Sequence, residues 1–134
     1  MARMQGAAAL VTGAGSGIGR ATALRFAAEG APVACVDRAA AAADATAAAI
    51  KSAGGEAFGL GGDVTDEAAC ARMVAATVER FGGLTTLVNS AGVGPQRELT
   101  PAEEFRQIVA INLTGTGRCR RRPARRWRPA DVAA

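Results

Sequence analysis

The segment Thr12-Gly13-Ala14-Gly15-Ser16-Gly17-Ile18-Gly19 constrains this chain most, because of what flanks it. Before it runs an apolar stretch, Ala7 to Val11, and after it a helix-like pattern carrying Ala21, Leu24, Phe26, Ala27 and Ala28. Strand, glycine turn and helix in that order make a phosphate-binding turn. Glycines let the backbone turn sharply and admit a pyrophosphate without Cβ atoms in its way. The free N–H groups and the positive dipole end of the helix attract the anion. A ligand-free turn joining strand to helix is the competing reading. A Walker-type phosphate loop is excluded, since no Gly-Lys-Ser/Thr follows.

The alternation continues beyond the turn. Pro32 to Asp37 is a short apolar run ending in an acid, as a buried parallel strand would be. Residues 39–53 are nearly all alanine, favour helix strongly, and meet Gly54-Gly55 as a C-cap. Glu56 to Asp63 reads as a glycine-diluted third strand. Thr65 is expected to cap a helix running to Phe81, with Met73, Val74, Thr77 and Val78 inward, before Gly82-Gly83 stops it. Leu84 to Val88 gives a fourth strand, and Thr100-Pro101-Ala102-Glu103 opens a helix with a capping box and proline at its first position. This order predicts an α/β fold: a doubly wound parallel sheet of about four strands with helices on both faces, and ligands bound beyond the carboxyl ends of the strands.

At 134 residues the chain is one domain's worth but short for a two-halved dinucleotide fold. The start is not of signal-peptide kind, and no apolar run approaches the roughly 20 residues that span a bilayer, so a cytoplasmic protein without membrane contact is expected. Cys35, Cys70 and Cys119 form no CxxC pair, and the chain has no histidine, which argues against disulfides and against a metal site. The net charge of +4 arises unevenly: residues 1–115 hold 9 Lys and Arg against 11 Asp and Glu, whereas residues 116–134 hold 7 Arg and one Asp. An argument from overall charge to nucleic-acid binding would therefore describe only the tail.

A general G-x-G-x-x-G fingerprint fails here, because the sixth position from Gly13 is Ile18 and from Gly15 is Arg20. What fits is T-G-x-x-x-G-I-G, with Gly13, Gly17 and Gly19, and this resembles the cofactor turn of the short-chain dehydrogenase/reductase family. The resemblance implies a Rossmann-type fold and a nicotinamide dinucleotide cradled by Gly13, Gly15, Ser16, Gly17, Ile18 and Gly19. Asp37, 18 residues after Gly19, would accept hydrogen bonds from the adenosine ribose hydroxyls. With Ser16, which stands where many NADP-preferring relatives carry a basic residue, it leans the cofactor toward NAD over NADP. Arg38 dissents, and a solvated turn acid is the plain alternative for Asp37. By the same resemblance Asp63 and Val64 would meet the adenine, although Asp63 serves equally as a turn acid. Asn89, Ala91 and Gly92 match the family's Asn-Asn-Ala-Gly beside the cofactor, with Ser90 replacing the second asparagine. Asn112 matches the active-site asparagine that helps hold a water in a proton relay, or is simply a helix-end residue.

Family members transfer hydride between the cofactor and an alcohol or carbonyl, using a tyrosine acid/base, a lysine that lowers its pKa and a serine that orients the substrate. This chain has no tyrosine, its one lysine is Lys51 on the second helix, and no serine follows Ser90. Proton transfer by a positioned group is typically worth about 10²- to 10⁴-fold, so an inactive chain is expected. After Thr116 the apolar periodicity gives way to Gly117-Arg118-Cys119-Arg120-Arg121-Arg122 and further arginines. The expected division is therefore a partial dinucleotide-binding domain over 1–116 and an Arg-rich, disordered tail over 117–134. A frame change or truncation is the favoured origin of that tail, and nucleic-acid binding is the least favoured. Relatives are commonly dimers or tetramers, but they associate partly through elements that follow the break. The alternative from another class is a non-catalytic NAD-binding or partner-interaction module with a basic tail.

Overall fold

A computed structural model of the chain describes residues 2–94 and 98–117. Apart from Gly117, the expected Arg-rich tail lies outside the described residues. Four strands, β1 (Ala9–Thr12), β2 (Val33–Asp37), β3 (Ala57–Gly61) and β4 (Thr86–Asn89), form one parallel sheet in the order β3-β2-β1-β4. Between and after them come α1 (Gly17–Ala28), α2 (Ala40–Ser52), α3 (Glu67–Phe81) and α4 (Pro101–Ile108), the last continued by a π-helical segment, Val109–Gly115. This is the Rossmann-like architecture that the alternation predicts. The register sets Val11 against Cys35 on one side and Val88 on the other, so β1 lies at the centre.

Both faces of the sheet are covered, and the strands show it residue by residue. Ala9, Val11, Val33 and Cys35 point to one side and pack with Ala23 of α1 and Ala47 and Ile50 of α2. Their neighbours Leu10, Ala34 and Val36 point the other way, onto Ala69, Met73 and Val74 of α3. Alternating side chains that are apolar on both faces are what helices on both sides require. The helix α2 approaches β3 closely at Gly59, where an added Cβ would lie 2.7 Å from the backbone nitrogen of Asp44. Burial of Cys35 pushes its thiol up to about 11, so it behaves as a small hydrophobe.

Local chemistry fixes most element ends. Gly54, at φ +87°, follows Ala53 and ends α2 in the left-handed conformation. At α4, Thr100 accepts from the Glu103 N–H at 3.4 Å while the Glu103 carboxylate accepts from the Thr100 N–H at 2.9 Å, the capping box expected from sequence. Two expectations are corrected. The N-cap of α3 is Asp66, which accepts from the Ala68 and Ala69 N–H groups, whereas Thr65 is held by Asp63 in a turn. On α1 the buried positions are Gly19 and Ala23, and Ala21 and Ala28 face outward, because a glycine at the inner face lets the helix sit against the turn. Among the described residues no helix is long and apolar enough to cross a membrane.

Candidate functional site

The carboxyl ends of β1, β2 and β4, and the segment leaving β3, open onto one cleft of about 390 Å³, a size typical of small-ligand sites. Chain topology explains its place. The strand order reverses at β1, whose crossover to β2 leaves on one side while β4 packs on the other. Crevices form at such a switch point. Of the residues singled out from sequence, Gly13, Ser16, Gly17 and Ile18 line the cleft from the glycine turn, and Asp37, Asp63, Val64, Ala91 and Gly92 line it from the other strand ends. Gly15, Gly19, Asn89 and Asn112 do not line it.

The two glycines behind the cleft work through close packing. A Cβ at Gly19 would overlap the Gly13 carbonyl, and one at Gly15 would lie 2.6 Å from the Ala42 Cβ and 2.7 Å from the Asp37 Oδ2. Gly13, at φ +65°, leaves room for the chain leaving β4: its missing Cβ would sit 2.6 Å from the Ser90 carbonyl oxygen. The start of α1 is open. Ser16 holds the N-cap position in extended conformation, but its side chain makes no capping hydrogen bond, and the first turn carries no acid. N–H groups left without an acceptor, at the positive end of a helix, suit an anion. Ile18 beside them is 80 % exposed and lines the cleft.

At the end of β2 the Asp37 carboxylate accepts from the Gly15 N–H on Oδ2 at 2.9 Å and from the Ala39 N–H on Oδ1 at 3.0 Å. Its position is thus set by the glycine turn and by its own following loop. Each carboxylate oxygen has capacity for a further donor, and Asp37 lines the cleft. Arg38, next along, is exposed on the rim. Val64 is buried, packed with Cys70 and Ile111, and its Cβ would lie 3.0 Å from one placed on Gly115.

Asn112 lies within the π-helical segment, and its side chain is engaged with a single residue of the loop after β4. Its Oδ1 accepts from the Val93 N–H at 2.9 Å and its Nδ2 donates to the Val93 carbonyl at 3.1 Å. A side-chain amide paired in this way acts as a strand partner, tying the α4 region to the cleft wall, and irregular helical turns of this kind recur at functional sites. Sequence reasoning missed Thr12 as a contributor. Its buried Oγ1 accepts from the N–H groups of Ser90 and Ala91, each at 3.2 Å, and so fastens the β4 exit to β1. Thr12 stood inside the quoted motif, but nothing local reveals a partner 78 residues away.

Comparison with known proteins agrees with this geometry. The family model described as short chain dehydrogenase matches residues 7–129. A short-chain reductase protein, NovJ, of Streptomyces niveus is 48% identical over 117 residues, which is 86% of this chain and 45% of that protein. The D-threitol dehydrogenase of Mycolicibacterium smegmatis is 44% identical over 119 residues, 85% of this chain and 45% of that protein. Among solved structures, a 7α-hydroxysteroid dehydrogenase complexed with NADH and 7-oxo glycochenodeoxycholic acid superposes with a TM-score of 0.81 at 34% identity, covering 87% of this chain and 46% of that one. The chain spans about half the length of the curated relatives it matches. Glycine turn, strand order and sequence similarity converge, and the chain belongs to the short-chain dehydrogenase family.

Proposed function

We propose that residues 1–116 form the cofactor-binding half of an oxidoreductase that takes NAD in preference to NADP. The observation that carries this reading is the Asp37 carboxylate, held by two backbone N–H groups at the edge of the cleft beside the uncapped start of α1. The residues fit such a group. The open helix start suits the pyrophosphate, and a cleft of about 390 Å³ with Gly17 in its wall, where a Cβ would meet no other atom of the chain, admits it. Asp37 is placed to accept from the ribose hydroxyls, and a 2′-phosphate there would set two negative charges together. Asp63 and Val64 border the region assigned to the adenine, Ile18 covers the ligand from the solvent side, and Asn112 holds the loop carrying Ala91, Gly92 and Val93 in place.

The bound nicotinamide would supply the hydride donor or acceptor for an alcohol and its carbonyl. Within these 134 residues no tyrosine is available to move the accompanying proton, and Lys51 lies in the last turn of α2 and does not line the cleft. We therefore assign binding, not turnover, to this chain by itself. Calorimetric titration with NAD and NADP tests the first part, with tighter binding of NAD expected and no binding of either overturning it. Incubation with NAD and a panel of secondary alcohols tests the second: NADH formation above the protein-free rate would refute it.

A further inference from the structure

The carboxylate assigned to the ribose is held by a peptide group that is itself gripped from behind. The Gly15 N–H donates to Asp37, and the carbonyl at the other end of that same peptide, Ala14 O, accepts from the Thr46 Oγ1 of α2 at 2.8 Å. Ala14 and Thr46 are both fully buried, and the Ala14 N–H is taken by the Val36 carbonyl at 2.9 Å. Ala42, one turn before Thr46, packs against Gly15 closely enough that a Cβ there would overlap it. One face of α2 therefore fixes the plane of the Ala14–Gly15 peptide, and that plane decides whether an N–H points at Asp37.

From this arrangement we propose that Thr46 is a positioning residue for dinucleotide recognition, acting through the Ala14–Gly15 peptide to hold the Asp37 carboxylate toward the ribose 2′ position. The role rests on the reading of the cleft as a dinucleotide site. Without the hydroxyl, the buried Ala14 O loses the donor that Thr46 gives it, a loss relieved if the peptide rotates. Rotation withdraws the Gly15 N–H from Asp37, and the carboxylate gains freedom to swing away from the ligand. The ribose then loses its acceptor in part of the population, while a 2′-phosphate loses the charge that opposes it. A hydroxyl that served packing alone would change stability and leave the discrimination between the two cofactors untouched.

The test is calorimetric titration of the full 134-residue chain, Thr46→Val and Thr46→Ser with NAD and NADP, after circular dichroism has established that each is folded. Thr46→Val, nearly isosteric but without the donor, is expected to bind NAD about ten-fold more weakly and to narrow the NAD-over-NADP ratio by a similar factor. Thr46→Ser, which keeps the hydroxyl, should remain within about two-fold of the unsubstituted chain in both. Should Thr46→Val not fold, Thr46→Ala, which also lacks the donor, carries the same comparison. An unchanged ratio in the valine or alanine variant, beside a discriminating parent, overturns the positioning role alone. A parent that binds neither dinucleotide overturns the reading of the cleft and this role with it.

Discussion

Replacing Gly13 by alanine should cost far more than replacing Gly17, although both glycines have positive φ, +65° and +53°. The dihedral term is shared. An L-residue in the left-handed region pays about 1 kcal/mol, offset in part by the roughly 0.4–1 kcal/mol gained from a stiffer unfolded chain. The surroundings are not shared. A Cβ at Gly17 meets nothing within 4 Å, whereas one at Gly13 would lie 2.6 Å from the Ser90 carbonyl oxygen and 2.8 Å from the Ala91 backbone. Relieving that overlap requires the chain leaving β4 to move away from β1. The movement stretches the two 3.2 Å hydrogen bonds that Ser90 and Ala91 donate to the Thr12 hydroxyl. Two buried hydrogen bonds weakened at about 0.5–1.5 kcal/mol each, added to the overlap itself, put Gly13→Ala near 3 kcal/mol destabilising and Gly17→Ala below about 1. Urea unfolding followed by far-ultraviolet circular dichroism measures both. Indistinguishable midpoints would refute the claim that Gly13 is required by contact with the β4 exit and not by its dihedral angle. Gly17→Ala should instead weaken NAD binding with the fold intact, since its methyl would project into the open start of α1.

Two further predictions concern groups away from the cleft. Glu29 at the end of α1 accepts from the Arg3 side chain and backbone, and these bonds, with the charges of Arg3 and Arg25, hold its carboxyl at about 2 against an ordinary value of 4.5. A depressed acid contributes stability above its unfolded value that is lost as pH falls, so the contribution fades between pH 4.5 and 2, and Glu29→Gln should flatten the acid limb of stability in that window. An unchanged acid limb in the variant would show that the Arg3 clasp is not formed in solution. Cys35, raised to about 11, should resist iodoacetamide at pH 9 in the native protein and react in urea, as read by peptide mass mapping; rapid native modification would contradict its burial in β2.

How far the sequence revealed the molecule depended on the range of each interaction. The capping box at Thr100 and Glu103 and the glycine ending α2 act within one helical turn, and both stand where the sequence put them. The alanine run of 39–53 became α2, Ala40–Ser52, for the same reason. The cap of α3 moved by one residue because Asp63 competes for Thr65, a choice between two turn chemistries that composition leaves open. Residues whose meaning lies in a distant partner were invisible. Thr46 carries no local signal within the alanine-rich helix, yet its hydroxyl reaches a carbonyl 32 residues back. Asn112 was noticed through family likeness, but its grip on Val93 across 19 residues, and the π-helical turn that presents it, have no periodic signature.

The same distinction explains why the glycine turn carries so much information. In the order β3-β2-β1-β4, the chain leaving β1 must pass under the exit of β4 on one side and against the end of β2 on the other. Gly13 meets the first demand, by contact with Ser90 and Ala91, and Gly15 the second, by contact with Asp37 and Ala42. Gly19 lets α1 start hard against the Gly13 carbonyl, and Gly17 alone has open space around it. Two of the four glycines are therefore dictated by the topology of the switch point and Gly19 by the turn itself, while Gly17 has no steric neighbour within 4 Å. A spacing that looks like a single ligand motif is the sum of separate steric requirements. A chain of another strand order would need neither Gly13 nor Gly15 for these contacts, but would keep Gly19 wherever a helix starts this close behind the turn.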